Sequence, residues 1–206
     1  MKALTLTCIF MAFAGLANAQ LGIQGGLNIN NYQYKINGYR QDRVATPGFN
    51  IGMFYRARLA PHAVIEPSLA FSRKGALNTD VAFPVDRYHT RLDYVQASAP
   101  FMYRGIIGRG MDFTIGGGPF AAVLAHADAV AHYQNGQHVS EDYVIGNDRP
   151  DDFKPLDAGL RFQTGLRIRR MNISMAYDLG LADIAPQNNQ EINTRAFLLD
   201  LGFFLW

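Results

Sequence analysis

The stretch LDAGLRFQTGLRI at 156–168 alternates without a break. Ala158, Leu160, Phe162, Thr164, Leu166 and Ile168 form one set, and Asp157, Gly159, Arg161, Gln163, Gly165 and Arg167 form the other. A period of two is the signature of a strand with one apolar and one polar face. Seven other segments read the same way, at 21–31, 47–59, 63–75, about 90–106, about 111–126, 172–184 and 194–206. Most exceed the usual globular strand of about 5–6 residues. They match the roughly 9–11 residues that a tilted strand needs to cross a bilayer.

The connections alternate in length. Those at 60–62, 107–110 and 169–171 are tight, whereas 32–46, 76–89, 127–155 and 185–193 are long and polar. Short turns at one end and long loops at the other are the arrangement of an outer-membrane barrel. A loop as long as 127–155 is out of place in a compact soluble domain.

The alternation leaves open which face meets water, and the content of the two faces decides it. Phe49, Ile51, Met53, Tyr55, Ala57 and Leu59 oppose Gly48, Asn50, Gly52, Phe54, Arg56 and Arg58. Phe197, Leu199, Leu201, Phe203 and Leu205 oppose Ala196, Leu198, Asp200, Gly202 and Phe204. The apolar faces carry no charge. The polar faces combine glycine with a few long charged side chains. Glycine weakens a solvated strand, but inside a narrow barrel it makes room for large neighbours. Eight strands enclose a space that side chains just fill. The predicted fold is all-β: an eight-stranded antiparallel up-and-down transmembrane β-barrel with long extracellular loops and short periplasmic turns. A soluble lipocalin-like barrel is the competing architecture, and it would have to enclose a large apolar cavity.

Register is strongly fixed in the membrane reading. An arginine facing lipid near the midplane costs about 2–4 kcal/mol, and turning 156–168 over would expose both Arg161 and Arg167. The interior is expected to hold Arg56, Arg58, Arg104, Arg161 and Arg167 with Glu66, Asp178 and Asp200 as a structural polar network. A proton or ion relay is the sharper alternative. Buried charges need partners, so near-balance of sign is expected in both cases.

Composition adds three points. Among 206 residues the formal net charge is +2, which gives no field for nucleic acid. Lysine is limited to Lys2, Lys35, Lys74 and Lys154, so arginine, the better partner for buried carboxylates, supplies most positive charge. The start reads as an export signal: Lys2, an apolar run over 4–16, and Ala17-Asn18-Ala19 as a small-x-small cleavage site. The expected organisation is a cleaved signal at 1–19 and one barrel domain at 20–206. The only cysteine, Cys8, leaves with the signal, so no disulfide framework is expected. The closing LGFFLW, with Phe203, Phe204 and Trp206, reads as an aromatic anchor at the periplasmic interface.

The order of several motifs resembles the PorT-like outer-membrane β-barrel family of Gram-negative bacteria. LGIQGGLNIN, with Gly26-Leu27-Asn28, is similar to its opening strand, and PGFNIGMFYRARL to its second. IEPSLAFSRKGA resembles its most recognisable segment, with Glu66-Pro67 where Gln-Pro is common. LDYVQASAPFMYR, GGGPFAAVL and DAGLRFQTGLRI resemble the fourth, fifth and sixth strands, with Ala158 where Phe is frequent. The resemblance spans nearly the whole mature chain. It implies a small outer-membrane barrel and no particular activity, although some members support secretion.

No catalytic, cofactor or metal site is predicted. His126, His132 and His138 recur at a six-residue spacing with Asp128, Glu141 and Asp142 nearby, which is no recognised ligand pattern. Gly116-Gly117-Gly118-Pro119 lies in a strand and opens no helix, so it lacks the context of a phosphate loop. The expected partners are outer-membrane lipid and lipopolysaccharide, with other envelope proteins met through loops 127–155 and 32–46. The leading expectation is a non-enzymatic, plugged outer-membrane barrel. A small transport pore is the runner-up; a soluble periplasmic binder and a rim enzyme stand below it.

Overall fold

The computed structural model describes residues 19–36, 39–41, 44–78, 85–133, 138–148, 151–187 and 190–205. Its strands are β1 (Ala19–Ile36), β2 (Tyr39–Gln41), β3 (Val44–Ala60), β4 (Ala63–Ile65), β5 (Ser68–Asn78), β6 (Val85–Ser98), β7 (Phe101–Gly108), β8 (Met111–Tyr133), β9 (His138–Asp142), β10 (Leu156–Ile168), β11 (Met171–Gly180) and β12 (Gln190–Phe204). All join one antiparallel sheet. β4 continues into β5 and β6 into β7, and β2 and β9 are short additions at the long-loop end. Eight staves remain. β1 pairs with β3 on one side and with β12 on the other, so the sheet closes on itself. Closure gives each of the eight staves two neighbours, as a membrane demands, and only the short β2 and β9 at the long-loop end have one.

Two of the predicted strands are interrupted by proline. Pro67 separates β4 from β5, and Pro100 separates β6 from β7. Proline cannot donate to a ladder, but its carbonyl still accepts. Tyr55 N–H donates to Pro67 O at 2.8 Å, Glu66 N–H to Pro100 O at 3.1 Å, and Ala99 N–H to Pro119 O at 3.0 Å. The side-chain parity survives both breaks: Glu66 and Ser72 point inward on one stave, Ser98 and Arg104 on the next.

The alternation predicted at 156–168 is present as β10, with the polar set inside. Arg161 is buried while its neighbour Phe162 is 52% exposed. The same holds around the ring, where Leu27, Ile51, Leu160, Met175, Leu199 and Leu201 all point outward. Aromatics on this outer face form cross-strand runs: Phe162 is opposite Tyr177, and Tyr177 opposite Phe197.

Four expectations need correction. The strand predicted at 172–184 stops at Gly180, and Ile184 is fully buried. The 127–155 connection is not one irregular loop: β8 runs to Tyr133, β9 pairs back on it, and Ile145 bridges Phe153. Phe204 is not a girdle residue but lies inside at 1% exposure, whereas Phe203 faces outward; Trp206 is outside the described residues. Finally, β8 carries a bulge opposite Asp93 and Tyr94, where Ala125 is unpaired. An extra residue reverses the faces. Below it Ala122 and Leu124 are buried, and above it Ala127 and Ala129 are, while His126 is exposed.

Candidate functional site: the charged interior

The inward side chains fall into three layers along the barrel. At the tight-turn end, the Arg56 Nε on β3 donates to Glu66 Oε2 at 2.5 Å and Nη2 to Asn172 Oδ1 at 3.1 Å. Arg56 Nη1 also lies 3.6 Å from Asp112 Oδ1. Asp112, at the start of β8, gathers two further cations: Arg104 Nη2 donates to its Oδ2 at 2.9 Å, and Arg167 pairs with the same oxygen. Below them, Phe54 and Phe204 meet edge to face with centroids 5.0 Å apart. The Arg56 and Arg167 guanidiniums stand 4.9 and 5.7 Å from the Phe204 ring centroid. These aromatic rings and stacked cations fill the interior at this end.

The middle layer is built on Asp178 of β11. It is fully buried and accepts three hydrogen bonds from two residues: Arg161 Nε to Oδ1 at 2.6 Å, Arg161 Nη2 to Oδ2 at 2.8 Å, and Gln96 Nε2 to Oδ2 at 2.7 Å. Arg161 Nη1 also reaches Ser98 Oγ at 3.3 Å. Gln163 Nε2 donates to Glu66 Oε1 at 2.7 Å, which links this layer to the one below. Paired and hydrogen-bonded in this way, each charge has the partners that a buried ion requires.

The upper layer centres on Lys74, 1% exposed. Its Nζ is 3.6 Å from Asp157 Oδ2 and sits between the Tyr94 and Phe120 rings, 5.0 and 5.2 Å from their centroids. Thr194 Oγ1 donates to Asp157 Oδ2 at 2.6 Å. Beside it, Asn30 Nδ2 donates to Asn28 Oδ1 at 2.6 Å and Asn28 Nδ2 to Ser72 Oγ at 3.3 Å.

Above the lysine the interior turns apolar. Tyr32, Leu92, Tyr94, Leu124, Phe153, Ile184 and Ile192 form one buried cluster at the long-loop mouth. Two connecting segments are folded over it. Lys154 N–H donates to Ile184 O at 2.9 Å, and Asp183 Oδ1 accepts from the backbone of Ala185 and Ile192 at 3.0 and 2.9 Å.

Of the predicted interior residues, Arg56, Glu66, Arg104, Arg161, Asp178 and Asp200 are buried, and Arg167 is partly so. Arg58 is a correction: its side chain is exposed. The β3–β4 register shifts between Arg58 and Ala60, and there the strand has run past the packed layer, so parity no longer holds the side chain inside. Asp200 is buried but forms no ion pair among the described residues, contrary to the expected arginine contact. Lys74, Asp112 and Asp157 were missed, although each shares the inward parity of its strand. Asp157 stands on the polar face already assigned to Arg161. Including them, the inward-facing charges are Arg56, Lys74, Arg104, Arg161 and the partly buried Arg167 against Glu66, Asp112, Asp157, Asp178 and Asp200, so the signs balance inside; Asp93 and Asp128 are buried on the outer wall beneath Arg73 and Arg91.

The outer surface at the long-loop end has its own ion pairs. Arg73 grips Asp93 with two hydrogen bonds of 2.7 Å, and Arg91 pairs with Asp128. The Arg73 guanidinium also lies 5.4 Å from the centroid of the outward-facing Phe49 ring.

A closed sheet with lipophilic side chains outside and paired charges within is a membrane architecture. Residues 13–185 match the family described as Outer membrane protein beta-barrel domain. The chain belongs to that family. It is therefore an outer-membrane protein. Comparison with curated protein sequences finds no match. Among solved structures, the outer membrane protein OprG from Pseudomonas aeruginosa is similar in fold, with a TM-score of 0.50 and 12% identity over 91% of this chain and 96% of that one. Neisserial surface protein A aligns at a TM-score of 0.45 and 14% identity over 90% and 96%. Ail of Yersinia pestis, solved in complex with the heparin analogue sucrose octasulfate, aligns at 0.40 and 17% identity over 90% and 99%.

Proposed function

We propose that the protein is a non-enzymatic outer-membrane barrel with a closed lumen, acting through its extracellular rim rather than by passing solutes. The observation that carries this reading is the continuity of the filling. Phe54 and Phe204 block the periplasmic end, Arg–carboxylate pairs occupy the middle, and the cluster around Tyr94, Phe153 and Ile184 covers the outer mouth. The charged network has a structural role: it makes a polar interior tolerable in a barrel too narrow for bulk water.

The described outer rim is rich in acids. Asp142, Asp148 and Asp152 are exposed, with Asp151, Asp183 and Glu191 partly so. Lys154 and Lys35 are each engaged by one of them, Asp183 and Glu191. A rim of this sign favours envelope or surface partners with basic patches. In this reading the Arg73–Asp93 and Arg91–Asp128 pairs on the outer wall meet lipopolysaccharide head groups. A PorT-like assignment belongs to the same proposal and rests on the ordered sequence motifs.

Planar-bilayer recording of the folded, purified protein tests the closed lumen. The expected result is the absence of steady conductance above the bare membrane. Persistent open currents that scale with the number of inserted barrels would establish a pore instead.

A further inference from the structure

Among the described residues the periplasmic rim carries exposed side-chain charge of one sign. Each of the three tight turns carries arginine: Arg58 beside the first, Arg109 in the second, Arg169 and Arg170 in the third, all exposed and without a side-chain partner among the described residues. The segments 19–22, 57–63, 105–111, 167–171 and 203–205 contain no Asp or Glu. Asp112 and Glu66, the carboxylates at this end, are buried and already paired. Arg169 adopts a positive φ of 56°, a conformation uncommon for residues other than glycine, and Gly110 accepts its N–H at 2.6 Å. That contact puts the second and third turns side by side.

Directly above this turn the outer wall is dented. An open groove of about 610 Å³ is lined by Ile23, Gly25, Ile51, Met171, Leu201 and Phe203, with almost wholly apolar walls. Its origin is Gly25, an outward position flanked by Ile51 and Leu201 on the neighbouring strands. The two neighbouring staves present Ile51 and Leu201 at this level, and this one presents no side chain. The groove starts at Met171, the residue after Arg170, and Gly25 lies roughly 15 Å above the periplasmic end once strand tilt is allowed for. That puts Gly25 close to the midplane of an apolar band about 25 Å tall, and the lower part of the groove, at Ile23, Met171 and Phe203, in its inner-leaflet half.

We infer that this groove and the Arg169–Arg170 turn form one binding site for an anionic phospholipid of the inner leaflet, an acyl chain lying in the Gly25 dent and the phosphate held by the two guanidiniums. Guanidinium forks match phosphate oxygens in charge and geometry. The uncompensated positive charge argues against a second copy of this chain as the occupant, since a two-fold pairing through the groove would bring two such arginine turns together. The site does not depend on whether the lumen is open.

Native mass spectrometry of the folded protein released from non-ionic detergent tests the inference, with phosphatidylglycerol and phosphatidylcholine as competing probes. The wild type is expected to retain phosphatidylglycerol preferentially. Arg169→Asn with Arg170→Gln is expected to remove that preference by roughly tenfold or more, each charge near an anionic head group contributing on the order of a few-fold. Asparagine tolerates the positive φ, so the turn is kept. Gly25→Leu, whose Cβ would meet only Asn50 O at 3.6 Å, is expected to weaken retention of both lipids while the barrel still folds, as judged by its heat-dependent gel mobility. Equal retention of the two lipids by the wild type, or unchanged phosphatidylglycerol binding in the arginine double variant, overturns the inference. So does a lipid-independent dimer that Gly25→Leu abolishes, which would make the groove a contact between copies.

Discussion

Arg161 and Asp178 face each other across β10 and β11 and lock fork to fork, Nε to Oδ1 at 2.6 Å and Nη2 to Oδ2 at 2.8 Å. Both are buried, so the pair is the best-defined electrostatic element in the barrel. Removing one partner strands the other. Arg161→Leu or Asp178→Leu alone is expected to cost about 3–5 kcal/mol, while Arg161→Met combined with Asp178→Leu recovers most of that loss. Urea unfolding in phospholipid vesicles, followed by tryptophan fluorescence or gel mobility, measures each value. Additive losses in the double variant would show that the two side chains do not act as a pair.

The two faces of β12 differ in what they tolerate. Leu199 is exposed on the wall, flanked by Leu27 and Met175. Leu199→Arg is expected to destabilise the folded state by about 2–4 kcal/mol in vesicles, because the charge meets hydrocarbon near the midplane. Arg109→Leu, at the rim, is expected to change stability by less than about 0.5 kcal/mol, as surface substitutions usually do. The same urea titration reads both.

The contrast between these positions explains how much of the molecule was legible beforehand. Strand alternation and the sorting of turns were enough for the closed eight-stave barrel and for the inward placement of Arg161 and Asp178, because period-two patterning is a direct consequence of backbone geometry. Lys74, Asp112 and Asp157 carry the same signal, each beside an end of its predicted segment, although Lys74 stands well inside β5. Other features have no local signature. The bulge at Ala125 reverses the faces of β8 through a mismatch with β6, which depends on two strands at once. Arg58 has the parity of Arg56, yet it lies beyond the packed layer, and strand ends are set by the neighbour's length. The inward turn of Phe204 follows parity, but the expectation of an aromatic girdle drew it outward.

The outer cap is held by packing and a few loop hydrogen bonds. Phe153 is buried against Tyr143, edge to face at 5.1 Å, and belongs to the cluster with Ile184. Phe153→Ala is expected to loosen the cap while leaving the lipid-spanning staves intact. Limited proteolysis of whole cells is the measure: cleavage within 143–155 accelerates several-fold, and the turn at 60–62 stays protected in both proteins. Cleavage at 60–62 in intact cells would reverse the assigned orientation.

Lys74 holds the upper layer together through Asp157, Tyr94 and Phe120. Lys74→Met keeps the length of the side chain but leaves Asp157 with Thr194 as its remaining close partner. The expected loss is about 3–5 kcal/mol, the cost of an uncompensated buried charge. Asp157→Asn in the same chain is expected to restore part of it. Unfolding midpoints of the single and double variants give the comparison.

The inside-out arrangement is tested most directly by scanning β10 with a spin label. Cys8 is the only cysteine in the sequence, so single cysteines placed at each position from 158 to 166 in a Cys8→Ser background can be labelled one at a time in vesicles. Labels at 158, 160, 162, 164 and 166 are predicted to collide with oxygen dissolved in the lipid, and those at 159, 161, 163 and 165 to be shielded from it. An inverted alternation, or water-soluble relaxation agents reaching the even positions, would contradict the account.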